Sequence, residues 1–163
     1  MIREIKLEDA SRIAEIYNYY IEHTVITFEE TVLKTKDMED RILEITEDNP
    51  WYVYEEDGKI LGYSYAGKWK GRCAFRFSLE GSVYLDHRVE KKGIGSKLYS
   101  KLLKTLKERG IHIVVAGISL PNEKSIALHE KFGFKKVGQF SEVGYKFSRW
   151  IDVGYWELNL EKI

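Results

Sequence analysis

Glu80-Gly81-Ser82-Val83-Tyr84-Leu85, followed by Lys91-Lys92-Gly93-Ile94-Gly95-Ser96 and then Leu98, Leu102, Leu103 and Leu106, is the stretch on which the fold turns. The first six residues read as a strand. The leucines recur at helical spacing as far as about Arg109, where Gly110 suits a left-handed helix end. Between them, Gly93 and Gly95 form a turn that leaves unpaired N–H groups at the start of a helix. Those donors and the helix dipole favour an anion such as a pyrophosphate, and Lys91, Lys92 and Lys97 add positive charge. By itself, a glycine pair ahead of a helix fits an ordinary tight turn as well as an anion site. A P-loop needs Lys-Ser/Thr directly after its last glycine, whereas Ser96-Lys97 follows here. A dinucleotide fingerprint needs a third glycine where this chain has Leu98.

Outward from this unit the pattern stays α/β. Ile2 to Lys6 alternates as a half-buried strand, and Ile13, Ile16, Tyr17 and Tyr20 mark a helix. A second helix covers Lys36 to Thr46 and stops at Asn49-Pro50. Trp51 to Tyr54 and Ile60 to Ala66 are strands joined by the turn Glu56-Asp57-Gly58. The apolar run Ile113-Val114-Val115-Ala116 reads as a strand buried on both faces. A short helix spans Glu123 to Phe132, and Phe134 to Leu160 alternates well enough for two more strands. No repeat or linker divides the chain, so residues 1–163 are read as one domain.

Length and composition agree. The 163 residues suit one compact domain, and 44% hydrophobic with 32% charged residues is a globular balance. Equal numbers of basic and acidic residues, 26 each, give no support to a nucleic-acid or membrane-surface role. The single Cys73 excludes an internal disulfide, and four scattered histidines show no zinc spacing, so no metal is expected. Met1-Ile2-Arg3-Glu4 lacks the apolar run of a signal peptide, and no stretch approaches membrane-spanning length. The expected location is the cytoplasm.

Two segments in order resemble the GNAT superfamily of N-acetyltransferases. Ser82 to Gly95 resembles its coenzyme A motif, and Asn122-Glu123-Lys124-Ser125-Ile126-Ala127-Leu128-His129 to Gly133-Phe134 resembles its second motif helix. Further stretches, Thr27-Phe28-Glu29-Glu30, Lys68-Trp69-Lys70, Glu80-Gly81-Ser82-Val83-Tyr84 and Val143-Gly144-Tyr145-Lys146-Phe147, resemble the phosphinothricin and methionine sulfoximine acetyltransferase branch. The resemblance covers nearly the whole chain. It implies a central mixed, mostly antiparallel sheet with helices on both faces. It also implies acetyl-CoA as co-substrate, a small amino-acid-like amine as acceptor, and a homodimer. Glu90 departs from the motif, which carries Arg or Gln there, so the pyrophosphate is expected to rest mainly on backbone amides.

The resemblance assigns roles residue by residue. Glu80 is the expected general base. Without the resemblance it reads as a solvated strand-end carboxylate. Val83, Tyr84 and Leu85 line the coenzyme arm, with the Leu85 N–H near the thioester, and Lys91, Lys92, Gly93, Ile94, Gly95 and Ser96 hold the pyrophosphate. Asn122 caps a helix and contacts the arm. His129 either protonates the leaving thiolate or hydrogen-bonds the arm, and a structural histidine is an equal alternative. Gly81 and Ser82 are expected at the acceptor, as are Lys70 and Gly71, and Arg72 or Arg76 as a fork for an acidic group. Phe28, Glu30 and Tyr145 complete the pocket or a dimer contact. Two readings stay open beside this one: acetylation of another amine, such as a polyamine or a protein N-terminus, and a coenzyme A sensor without catalysis.

Overall fold

The computed structural model of the chain describes residues 1–90 and 93–163. The alternating N-terminal residues form β1 (Ile2–Glu4), and α1 (Ala10–His23) and α2 (Thr35–Thr46) follow. β2 (Trp51–Glu56) and β3 (Lys59–Lys68) make a hairpin whose turn residues, Asp57 at φ 50° and Gly58 at φ 73°, both take the left-handed conformation that twists tight hairpins correctly. Then come β4 (Ser78–Leu85), α3 (Ile94–Glu108), β5 (Ile113–Ser119) and α4 (Glu123–Lys131). A long hairpin of β6 (Lys135–Lys146) and β7 (Arg149–Asn159) ends the fold.

The strands form one seven-stranded sheet in the order β1-β2-β3-β4-β5-β7-β6. Every neighbouring pair is antiparallel except β4 and β5. Each face buries a core. On one face α3 packs Leu98, Tyr99, Leu102 and Leu106 against Val114, Ala116, Ile118 and Trp156. On the other, α1 and α2 pack Ile13, Ile16, Tyr17, Met38 and Ile42 against Trp51, Val53 and Tyr63. The mixed, mostly antiparallel sheet with helices on both faces is therefore observed. Burial of Val114, Val115 and Ala116 also accounts for the unbroken apolar run in β5.

The single parallel pairing is short. Ser78, Leu79 and Glu80 sit opposite Ile113, Val114 and Val115, and pairing stops there. Yet β4 stays bonded to β3 as far as Leu85, and β5 stays bonded to β7 as far as Ser119. Gly81 to Leu85 and Ala116 to Ser119 thus face each other across a gap in mid-sheet, with backbone groups that need partners. Gly81 stands at the closed end of that gap. A Cβ there would lie 2.9 Å from the Tyr99 hydroxyl and 3.2 Å from Val114 Cγ1, both in the core. Gly81→Ala is expected to lower stability by about 1–3 kcal/mol through overpacking. Thermal unfolding checks this, with Gly67→Ala, where a Cβ would meet nothing within 4 Å, as the neutral comparison.

Candidate active site

The gap opens onto a groove of about 520 Å³ on the face that carries α1 and α2. Glu80, Ser82 and Tyr84 reach it from β4, and Gly117 and Ser119 from β5. Ile26, Thr27 and Phe28, from the segment between the two helices, form one wall, and Val143, Gly144, Tyr145, Val153 and Tyr155 form another. The helix-side wall is pinned from several directions. Tyr17 bonds Thr27 Oγ1 at 2.7 Å and also donates to Glu29, whose carboxylate takes a fork from Arg41 at 2.9 and 2.7 Å. The buried Lys146 Nζ donates to the Thr27 carbonyl at 2.8 Å from the opposite side. Gly144 has no side chain because the Phe28 ring occupies that space.

Glu80 stands where the gap closes. Among the described residues no side chain hydrogen-bonds its carboxylate, and burial raises its pKa, with Lys70 drawing it partly back. A carboxylate held this way is a better proton acceptor than one in water. Its Oε1 lies 3.6 Å from the point where a Cβ on Gly117 would be, so the glycine leaves room beside it.

On the other side of the gap, α4 supplies a narrower cleft of about 60 Å³ lined by Asn122, Ser125 and His129 together with Ser82, Val83 and Tyr84. Asn122 caps α4 by accepting the Ser125 N–H at 3.1 Å, as its position before the helix implies. His129 is buried, and its Nδ1 donates to the Ser125 carbonyl at 2.7 Å. Burial lowers its pKa. The ring is therefore neutral near pH 7, with Nε2 left as an acceptor. The two clefts share Gly81, Ser82, Tyr84, Gly117 and Ser119, so they communicate through the gap.

The glycine turn lies at the far end of β4. Gly93 caps α3 with φ 91°, a conformation that favours glycine. The first bond of α3 runs from the Lys97 N–H to the Gly93 carbonyl at 3.0 Å. The amides of Ile94, Gly95 and Ser96 therefore have no acceptor within the helix. Gly95 is buried against Val83, Leu85 and Leu128, and Lys131 Nζ reaches Ser96 Oγ at 3.2 Å. Glu90 is exposed to solvent. Lys91 and Lys92 lie outside the described residues. One residue here escaped sequence reasoning. Asp86 is buried and accepts from the Arg88 N–H at 2.9 Å, from Arg88 Nε at 3.0 Å, and from Arg12 on α1. These donors, Arg88 foremost, outweigh burial and hold its pKa far below the usual carboxylate range.

The remaining expectations divide. Phe28, Gly81, Ser82 and Tyr145 do meet in the groove. Glu30 is exposed and near enough to act on the charge of Lys146, but it does not line the groove. Lys70, Gly71, Arg72 and Arg76 are not brought into the groove either. They border a separate cleft of about 370 Å³ with Asp48, Leu106 and Arg109. The cause is strand direction: the connection from β3 enters at Ser78, the end of β4 away from the gap's mouth. Ile26, Gly117, Ser119, Val153 and Tyr155 belong to the groove without any local signal in the sequence, and Thr27 and Val143 do so from stretches that carried the resemblance without being assigned a role. Among the described residues no group of three His, Cys, Asp or Glu side chains is placed to hold a metal ion, and no helix is long and apolar enough to cross a membrane.

Comparison with known proteins bears on this geometry. The pattern of the acetyltransferase (GNAT) domain matches residues 2–154. A phosphinothricin N-acetyltransferase of Streptomyces viridochromogenes is 37% identical, the match covering 98% of this chain and 87% of that protein. An L-methionine sulfoximine/L-methionine sulfone acetyltransferase of Salmonella typhimurium is 35% identical over 99% of this chain and 95% of its own. Among solved structures, a GNAT superfamily phosphinothricin acetyltransferase from Sinorhizobium meliloti, in complex with AcCoA, superposes with a TM-score of 0.94 at 34% identity, covering 98% of this chain and 87% of that one.

Proposed function

This chain belongs to the acetyltransferase (GNAT) family, and from that premise we propose that it acetylates the amino group of a phosphinothricin-like or methionine-sulfoximine-like amino acid, with Glu80 as general base. The enzyme is an acetyl-CoA-dependent N-acyltransferase acting on an amino-acid-like acceptor. One observation carries the finer reading. Glu80 is half-buried, no side chain among the described residues hydrogen-bonds its carboxylate, and it lines the groove next to Gly81, which the two clefts share.

The open edge of β4 and the uncapped amides of α3 suit a long, polar, phosphate-bearing co-substrate. Ile94, Gly95 and Ser96 would hold its pyrophosphate on backbone N–H groups, with Gly93 giving close approach. Lys91 and Lys92 are assigned to the same end from the sequence. Val83, Tyr84 and Leu85 would bond its amide-containing arm along the strand edge, with Asn122 on the opposite wall. The thioester supplies an activated acetyl group. The residues then have three tasks: to hold the amine beside that group, to take its proton, and to exclude water. Glu80 accepts the proton, and a raised pKa suits an ammonium donor. The Leu85 N–H, assigned to the carbonyl oxygen by the resemblance, lies at the mouth of the gap nearest the pyrophosphate and so suits the arm, while a β4 N–H closer to Glu80 would take that oxygen. His129, neutral with Nε2 free, fits a hydrogen-bond acceptor along the arm better than a proton donor, because burial opposes the protonation that donation to a thiolate needs.

A homodimer belongs to the same reading. β6 is an edge of the sheet and leaves Val137, Phe140, Val143 and Tyr145 exposed, with Phe147 and Trp150 at the adjoining turn. An apolar open edge of this kind calls for a cover, and its residues Val143 and Tyr145 continue into the groove. Light scattering is expected to give twice the chain mass of 19.1 kDa, and a monomer would overturn the dimer. Cys73, the single cysteine, is free and exposed, in keeping with the expected cytoplasmic setting.

Glu80→Gln is expected to lower kcat by about 10²-fold or more while acetyl-CoA binding is retained. The sign of the pH dependence follows from burial. The active form is the carboxylate, its pKa is raised, and so activity should rise with pH through a range above that of ordinary carboxylates. The variant should lose this acid limb. Thiol release with a panel of amino acids and amines, followed against pH, checks both. A coenzyme sensor would release none.

A further inference from the structure

Three buried side-chain polar atoms among the described residues have no hydrogen-bond partner: Trp51 Nε1, Tyr99 Oη and Ser119 Oγ. Native proteins seldom leave such groups unsatisfied, since each gives up its bonds to water without replacing them. Trp51 and Tyr99 belong to the two cores. Ser119 is different. It is 5% exposed, yet its residue lines both the groove and the cleft beside α4.

Strand alternation fixes where Ser119 points. Ala116 and Ile118 enter the core under α3, so Gly117 and Ser119 face the groove. Glu80 Oε1 lies against Gly117. Two residues of extended strand carry Ser119 about 7 Å farther along β5. An amino acid whose nitrogen meets Glu80 keeps its carboxylate close to that nitrogen, whereas a polar group at the end of its side chain extends several bonds farther. Among the described residues no lysine or arginine lines this groove, so an acceptor's oxygens meet hydroxyl groups there instead.

We propose that Ser119 is a specificity-determining residue whose hydroxyl donates a hydrogen bond to an oxygen at the end of the acceptor's side chain. The inference rests on the reading of the groove as the acceptor site. It separates acceptors of nearly equal shape: one bearing sulfonyl, sulfoximine or phosphinate oxygens completes the orphaned hydroxyl, and one bearing a bare thioether leaves it unpaired. Sites built to bond a polar group reject the analogue that lacks it more strongly than apolar pockets reject a lost methylene.

L-Methionine sulfone and L-methionine differ only in those oxygens, so kcat/KM for both, with wild type, Ser119→Ala and Ser119→Thr, tests the proposal. Wild type is expected to prefer the sulfone. Ser119→Ala should lower kcat/KM for the sulfone by about tenfold more than kcat/KM for methionine. Ser119→Thr keeps the hydroxyl and should keep the preference. Equal losses for both acceptors, or a raised KM for acetyl-CoA, would overturn the role of Ser119. Absence of any turnover by wild type would instead overturn the acetyl-transfer reading, and this inference with it.

Discussion

Where β4 and β5 part after Glu80 and Val115, two strand edges in the middle of a sheet are left without each other. Sheets rarely tolerate this, because every unpaired N–H and C=O withdrawn from water has a cost. Here both strands keep their outer partners, β3 and β7, so the sheet holds while its centre stays open. The opening does several things at once. It gives a polar chain a strand edge to bond, it joins the cleft beside α4 to the groove beneath α1 and α2, and it ends at Glu80. The glycine turn matters because α3 starts where β4 leads, so its free amides lie at the far end of the same strand.

The ends of β4 treat two carboxylates in opposite ways. Glu80 is half-buried with no hydrogen-bond donor among the described residues, and its pKa rises. Asp86 is buried with Arg88 and Arg12, and its pKa falls. The first is thereby a better proton acceptor than an ordinary carboxylate. The second stays charged and serves shape: it ties the segment that enters the glycine turn to α1, while Arg88 continues to Glu15 on that helix. Truncating one partner of such a buried cluster costs more than forming the pair gains, which makes Asp86 a structural fixture of the end of β4 that leads to the glycine turn.

Much of the architecture was legible in the chain. Leu98, Leu102 and Leu106 marked α3, and Asp57-Gly58 marked a tight hairpin. The unbroken Ile113 to Ala116 marked a strand covered on both faces. Asn122 read correctly as a cap. The second hairpin was harder to see. Its turn puts Phe147 and Ser148 at φ 53° and 56° without the glycine or asparagine that usually announces this conformation. The gap itself has no local signature, because β4 and β5 are ordinary strands and only their extent of pairing differs. The groove walls come from residues as distant as Ile26, Ser119 and Tyr155. Sequence proximity did not become a shared lining in one place: Arg72 and Arg76 precede Glu80 closely and enter at the same end of β4, but they border a different cleft.

The central claim is that the space between β4 and β5, continued to the first turn of α3, receives acetyl-CoA. Amide hydrogen exchange with and without acetyl-CoA tests it most directly. Slowed exchange in Ser82 to Leu85 and in Ile94 to Ser96, with the amides of β1 and β2 unaltered, is the result this account requires. Protection confined to surfaces away from these two segments, in a protein that demonstrably binds acetyl-CoA, would contradict it.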